Sequence, residues 1–222
     1  MIRFLEEHLK AGLVSAGIET PDGRPSTSYF TYYQSPLTWF KEYNFLVTKL
    51  FRTLFGCYYG RPQGVALRVK ALATTAVMAR MSMVKIVGRF DPNIPFFLED
   101  SDWAKRFWDS GYEVWVDQKT QVIHYGGSSD EKTYIMCRDR SLMSLYAFTD
   151  KHWPGGINRA LLTASILGGT VLNLIVVTLL LPLSINGRIR KILLKNYRSF
   201  WNVIQWHLKS SGAIHGSLIR ER

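Results

Sequence analysis

The chain has 222 residues, 47% hydrophobic and 14% aromatic, enough to bury one core with appendages and too few for a second large domain. Its net charge of +11 and pI near 9.7 point to a partner carrying phosphate: a nucleotide diphosphate, anionic lipid head groups or nucleic acid. The two cysteines, Cys57 and Cys137, stand apart with no C-x-x-C pair and no histidine at zinc-finger spacing, which argues against a disulfide framework or structural zinc and for a reducing cytosol.

The opening MIRFLEEHLKAG carries acids and no uncharged apolar run, so it does not read as a signal peptide. Residues 2–10 instead predict a short amphipathic helix with Ile2, Leu5 and Leu9 on one face and Gly12 past its end. Leu13-Val14 reads as a strand and Pro21-Asp22-Gly23 as a turn. Between Ser26 and Tyr59 aromatics such as Tyr29, Tyr33, Trp39 and Phe45 alternate with Lys41, Lys49 and Arg52. Amphipathic helices from about Pro36 to Phe55, packed on a core or on a membrane surface, account for that pattern. Base-stacking on single-stranded nucleic acid is the alternative. Gly56, Gly60 and Gly64 are not set between a strand and a helix, so no dinucleotide loop is expected.

The stretch from Phe90 to Ser129 carries the chemistry. Pro92 and Pro95 break regular structure, Phe96-Phe97-Leu98 forms a short apolar run, and the carboxylates Glu99, Asp100 and Asp102 follow. A helix is predicted from Ser101 to Ser110, with Trp103, Phe107 and Trp108 on one side, the acids at its positive end and Gly111 as its stop. Tyr112–Val116 and Thr120–His124 read as two strands broken at Asp117-Gln118-Lys119, after which His124 enters a Tyr-Gly-Gly-Ser-Ser loop. A helix of about ten residues advances roughly 15 Å. A strand of five or six residues runs back about as far, which would return His124 to Asp100. Taken alone, the acids fit a solvated helix cap and His124 a structural role.

A further helix is predicted over 134–150, with His152 beside its C-terminal dipole. From Ala160 to Leu183 there is no charged residue, a run long enough to cross a bilayer or to form a buried helix. Arg188, Arg190, Lys191, Lys195 and Arg198 then lead into an amphipathic Tyr197–Trp206 segment suited to an anionic lipid surface. A single clean crossing would separate this basic tail from a cytoplasmic site, so a re-entrant or surface-lying helix pair is expected.

Taken together, Gly88-Arg89-Phe90-Asp91, the run Phe96 to Trp103, Arg106, Gly111-Tyr112, Ile123-His124 and Gly126-Gly127-Ser128 resemble the later half of bacterial family 2 glycosyltransferases of the GT-A fold, especially rhamnosyltransferase-like enzymes. The resemblance covers residues 1 to about 155 and implies an α/β fold: an incomplete GT-A-like domain at 1–155 lacking its N-terminal Rossmann-like half, then membrane-associated helices at 156–222. It implies inverting transfer from a nucleotide-sugar donor to a lipid-linked or polysaccharide acceptor at the cytoplasmic face of a bacterial inner membrane. Asp100 is then the general base, Glu99 and Asp102 bind acceptor or orient the loop, Trp103 offers a sugar-stacking face, Arg80 and Arg106 stand on the substrate, and Arg106 also pairs with Asp102. His124 is the metal-side histidine for magnesium or manganese, whose main acidic ligands belong to a D-x-D absent from this chain. The only D-x-D present, Asp100-x-Asp102, belongs to the acceptor side.

Within residues 71–87, Thr74 and Thr75 stand where the family has Gly and Ala, and Met81 replaces the second of two arginines while Arg80 keeps the place of the first. The missing half would be a partner as a separate chain. Two rival readings remain: a non-catalytic membrane-associated remnant or partner subunit, and a basic nucleic-acid-binding module, which the pattern around Glu99–His124 disfavours.

Overall fold

The computed structural model describes residues 1–26, 29–30, 33–39, 66–125, 139–184 and 186–217. Most of the helices expected between 36 and 55, the three glycines after them, both cysteines, the Gly-Gly-Ser loop and the start of the helix expected from 134 lie outside the described residues. The protein is mixed α/β, and its described residues fall into two compact units, one from residues 1–34 and 66–125, the other from 35–39 and 139–217.

In the first unit, helix α1 (Ile2–Glu7) ends at His8, whose backbone N–H and ring Nδ1 both meet the Phe4 carbonyl while its ring stacks on Phe4 at 4.0 Å. The expected helix to residue 10 stops there because His8 leaves helical geometry. Strand β1 (Ala11–Glu19) is far longer than the Leu13-Val14 expected and is buried from Ala11 to Ile18. Both of its faces are covered, Leu13 in a cluster with Phe107 and Val14 in one with Phe4, so it need not alternate polar and apolar residues. β7 (Glu113–Ile123) runs parallel to it, from Ala11 beside Glu113 to Glu19 beside Ile123. β2 (Pro25–Ser26) and β6 (Val77–Ala79) pair antiparallel with its opposite edge. β4 (Ala66–Arg68) closes the far side of β7, giving the order β2-β1-β7-β4 with β6 on β1. β3 (Tyr29–Phe30) and β5 (Ala71–Leu72) form a separate antiparallel pair.

Thr74 and Thr75 lie in a single 3-10 turn before β6, and helix α2 (Met81–Val87) follows with Arg80 as its N-cap. Helix α3 (Glu99–Asp109) buries Trp103, Ala104 and Phe107 against Leu13, Val69, Leu72, Val114 and Val116. The fit is close: a Cβ on Gly12 would stand 2.3 Å from the Phe107 ring. Gly111, at φ +82°, ends α3, its N–H bonded to the Trp108 carbonyl and that of Tyr112 to the Phe107 carbonyl, the paired closure a left-handed C′ glycine permits.

The second unit contains α4 (Asp139–His152), α5 (Gly156–Leu183) and α6 (Gly187–Ser217). α4 buries Leu142, Leu145 and Phe148, and its Tyr146 hydroxyl bonds Thr163 of α5 at 2.7 Å and His207 of α6 at 2.9 Å. α4 thus shares its core with the helices after it. Asp150 and Arg159 form an ion pair between the end of α4 and the start of α5, and the Arg159 guanidinium lies 4.8 Å from the Tyr146 ring centre. α5 is the described helix long and apolar enough to cross a membrane.

Candidate active site

The site begins in the backbone ahead of α3. Asp91 Oδ1 accepts the Asn93 N–H at 2.9 Å, closing a turn that buries Ile94. After Pro95, Phe97 and Leu98 take φ values of 64° and 85°, two consecutive non-glycine residues in left-handed conformation. Each costs on the order of 1–2 kcal/mol, and the full burial of the Leu98 side chain offsets that cost. The consequence is that α3 starts at Glu99 rather than the expected Ser101, so Glu99, Asp100 and Asp102 all lie in its first turn.

Burial raises Asp100 from the usual carboxylate value to about 6, with the neighbouring Glu99 charge as second cause. Its Oδ1 accepts the Ser101 N–H at 2.7 Å, a bond that favours ionisation but does not outweigh the lost solvent. Glu99 Oε2 is buried with no hydrogen-bond partner. A half-desolvated acid pair stands here, one member poised near neutrality. That is the condition a general base needs, since its proton affinity should match the working pH.

The other predicted residues are placed differently. Asp102 is fully buried and receives Arg106 Nε at 2.9 Å. Arg106 also donates Nη1 to the Val87 carbonyl at 2.8 Å and Nη2 to the Arg89 carbonyl at 2.7 Å. Trp103 Nε1 donates to the Gly88 carbonyl at 2.9 Å, and its ring lies between Phe90 and Phe107. All three side chains thus hold segment 87–90 against α3. Arg80, placed by the sequence on substrate, donates instead to the Leu5 and Ala11 carbonyls and ties α1 to β1.

The expected break at Asp117-Gln118-Lys119 becomes a bulge within one strand. Ala16 pairs with Asp117 but the next residue, Gly17, pairs with Gln121, so three residues of β7 stand out of register. Asp117 holds the bulge by accepting the Lys119 N–H at 3.0 Å and the Thr120 hydroxyl at 2.7 Å. Gln118 is buried beneath it, its Oε1 without a hydrogen-bond partner. The polar cluster Asp-Gln-Lys in an apolar run was the signal for it.

Because the strand is continuous, the length match behind the pairing of His124 with Asp100 does not hold. β7 runs alongside all nine residues of β1, about 30 Å, while the eleven residues of α3 advance about 16 Å. His124 continues past Ile123, its backbone N–H bonded to the Glu19 carbonyl at 2.7 Å and its side chain exposed. Among the described residues no three His, Cys, Asp or Glu side chains converge to hold a metal ion. The groups present do not by themselves fit a divalent metal, which wants several oxygen ligands.

Comparison with protein-family models, curated proteins and solved structures gives no match to this chain.

Proposed function

We propose that the chain is the acceptor-side part of a family 2-like, inverting glycosyltransferase of GT-A type, membrane-associated at the cytoplasmic face of a bacterial inner membrane. In this reading the donor is a nucleotide-sugar and the acceptor a lipid-linked or polysaccharide hydroxyl. The observation that carries it is Asp100: a carboxyl raised to about 6 by burial, at the start of a helix launched from a strained turn. Ser101 occupies Oδ1, which leaves Oδ2 to take the proton of the acceptor hydroxyl as its oxygen attacks the anomeric carbon. Asp102, Trp103 and Arg106 are positioning residues that hold the 87–90 segment. The nucleotide diphosphate leaves as the new bond forms, and a magnesium or manganese ion on it would take its ligands from an upstream half, since the described residues do not by themselves hold one.

The second reading is a non-catalytic partner subunit. Incubation of the purified chain with nucleotide-sugars, acceptor and metal, alone and with an upstream half co-expressed, separates the two. Turnover lost in Asp100→Asn supports the enzyme. Binding of the upstream half with turnover indifferent to Asp100 supports the subunit.

A further inference from the structure

α5 turns a long apolar face outward. The stripe it buries is mixed, Leu162, Ile166 and Val177 with Ser165, Gly169, Thr170 and Asn173, while Val171, Leu172, Ile175, Leu179 and Leu180 face outward. A bilayer removes the penalty on the outward side, since the hydrocarbon accepts the apolar face. Length alone would let α5 stand upright, since it has 28 residues and a mean hydropathy of 2.3 over its most apolar stretch.

Its neighbour opposes that. α5 and α6 are joined across residues 184–186 and run back along one another. Two observations set their register: Tyr146 bonds both Thr163 and His207, and a groove of about 300 Å³ is lined by Val171, Ile175 and Leu179 on one side and by Tyr197 and Trp201 on the other. The hydroxyl contacts mirror about residue 185 and the groove about residue 187, so Lys195 lies level with residues 175–179 and Arg198 with residues 172–176. Residue 172 is the middle of the uncharged run. An upright hairpin would therefore carry two exposed cations into the hydrocarbon, a costly depth for charge.

The wheel of α6 suits a different depth. At about 100° per residue, Lys191, Lys195, Arg198 and Lys209 share one stripe, and Leu194, Tyr197, Trp201 and Leu208 share another roughly 100° away. α6 contains no Asp or Glu. Basic residues beside an exposed aromatic and aliphatic face are the pattern of a helix lying at an anionic interface.

We propose that α5 and α6 form a hairpin lying within one leaflet of an anionic bilayer, with the outward apolar faces among the acyl chains, the Lys191–Lys195–Arg198 stripe at phosphate depth, and a lipid chain in the groove beside Tyr197 and Trp201. The inference rests on the membrane-associated part of the proposed function and is independent of sugar transfer.

The test uses the purified full chain with Cys57→Ser, Cys137→Ser and Ser184→Cys at the hairpin tip. It is diluted from detergent onto preformed phosphatidylcholine vesicles, with or without phosphatidylglycerol, floated, and treated with a membrane-impermeant maleimide. The expected result is flotation on the anionic vesicles, roughly tenfold weaker on phosphatidylcholine alone or in Lys195→Glu/Arg198→Glu, and full labelling of the tip without detergent. High salt on the unsubstituted stripe gives the same readout if the double variant loses helicity. Labelling only after detergent would show a crossing and overturn the proposal while leaving membrane association intact. Equal flotation on both vesicles would overturn the anionic interface, and no flotation on either would overturn membrane association with it.

Discussion

Arg106 donates Nε to Asp102 at 2.9 Å across one turn of α3 and grips the carbonyls of Val87 and Arg89 with its remaining nitrogens. Asp102 is fully buried, so Arg106→Ala takes the guanidinium from a carboxylate held away from water. Such losses cost about 3–5 kcal/mol. Urea unfolding should show that drop, and Arg106→Lys should recover only part of it, because an ammonium cannot reach three acceptors in one plane. An unchanged midpoint would return Arg106 to a role on substrate.

Gly12 lies against the Phe107 ring with no room for a methyl group. Gly12→Ala should therefore destabilise the first unit by about 1–3 kcal/mol. Adding Phe107→Leu should recover part of the loss, since the clash and the cavity offset one another. Strictly additive costs would show that the two positions do not touch.

How far the sequence reveals this arrangement depends on the scale of the cause. The Asp102–Arg106 pair and the Gly111 stop depend on neighbours within one helix, and spacing displays both. β1 is hidden in AGLVSAGIE because its small residues answer to what packs on them from distant segments, Phe107 above all. The bulge after Asp117 shows only as a polar interruption, which reads equally as the end of a strand. The left-handed Phe97 and Leu98 give no composition signal, since any glycine-based rule looks elsewhere for positive φ. Of the candidate site, the acids are legible, but the engagement of Arg80, Trp103 and Arg106 with backbone carbonyls is set by tertiary packing.

Asp100 gives a pH signature. Its folded-state pKa of about 6 lies above the usual 3.8, so the folded protein binds the proton more tightly than the unfolded chain does. The associated stability is fully present below 3.8 and is lost as pH rises through about 6. Asp100→Asn removes that penalty but also the charge-assisted bond from Ser101. The variant should gain about 1–2 kcal/mol over the parent at pH 7.5 and nothing at pH 4, measured by denaturant unfolding at both. An unchanged stability at pH 7.5 would place the carboxyl in solvent, and a less stable variant would show that the fold favours its ionised form.

Tyr146 ties three helices with one hydroxyl. Thr163 and His207 each keep a second bond, to the Arg159 and Val203 carbonyls, so Tyr146→Phe should cost about 1 kcal/mol rather than more. Thermal unfolding of the full chain reads this directly. A neutral substitution would show that the network adds nothing to the helix packing.

The central claim is that Asp100 accepts a proton from a sugar-acceptor hydroxyl. The most direct measurement is the pH profile of sugar transfer by the chain, supplied with its upstream half, nucleotide-sugar, acceptor and metal. Transfer should rise with an apparent pKa of about 6 and fall by about 10²–10⁴-fold in Asp100→Asn at every pH. Transfer that survives Asp100→Asn with the parental profile would contradict the account.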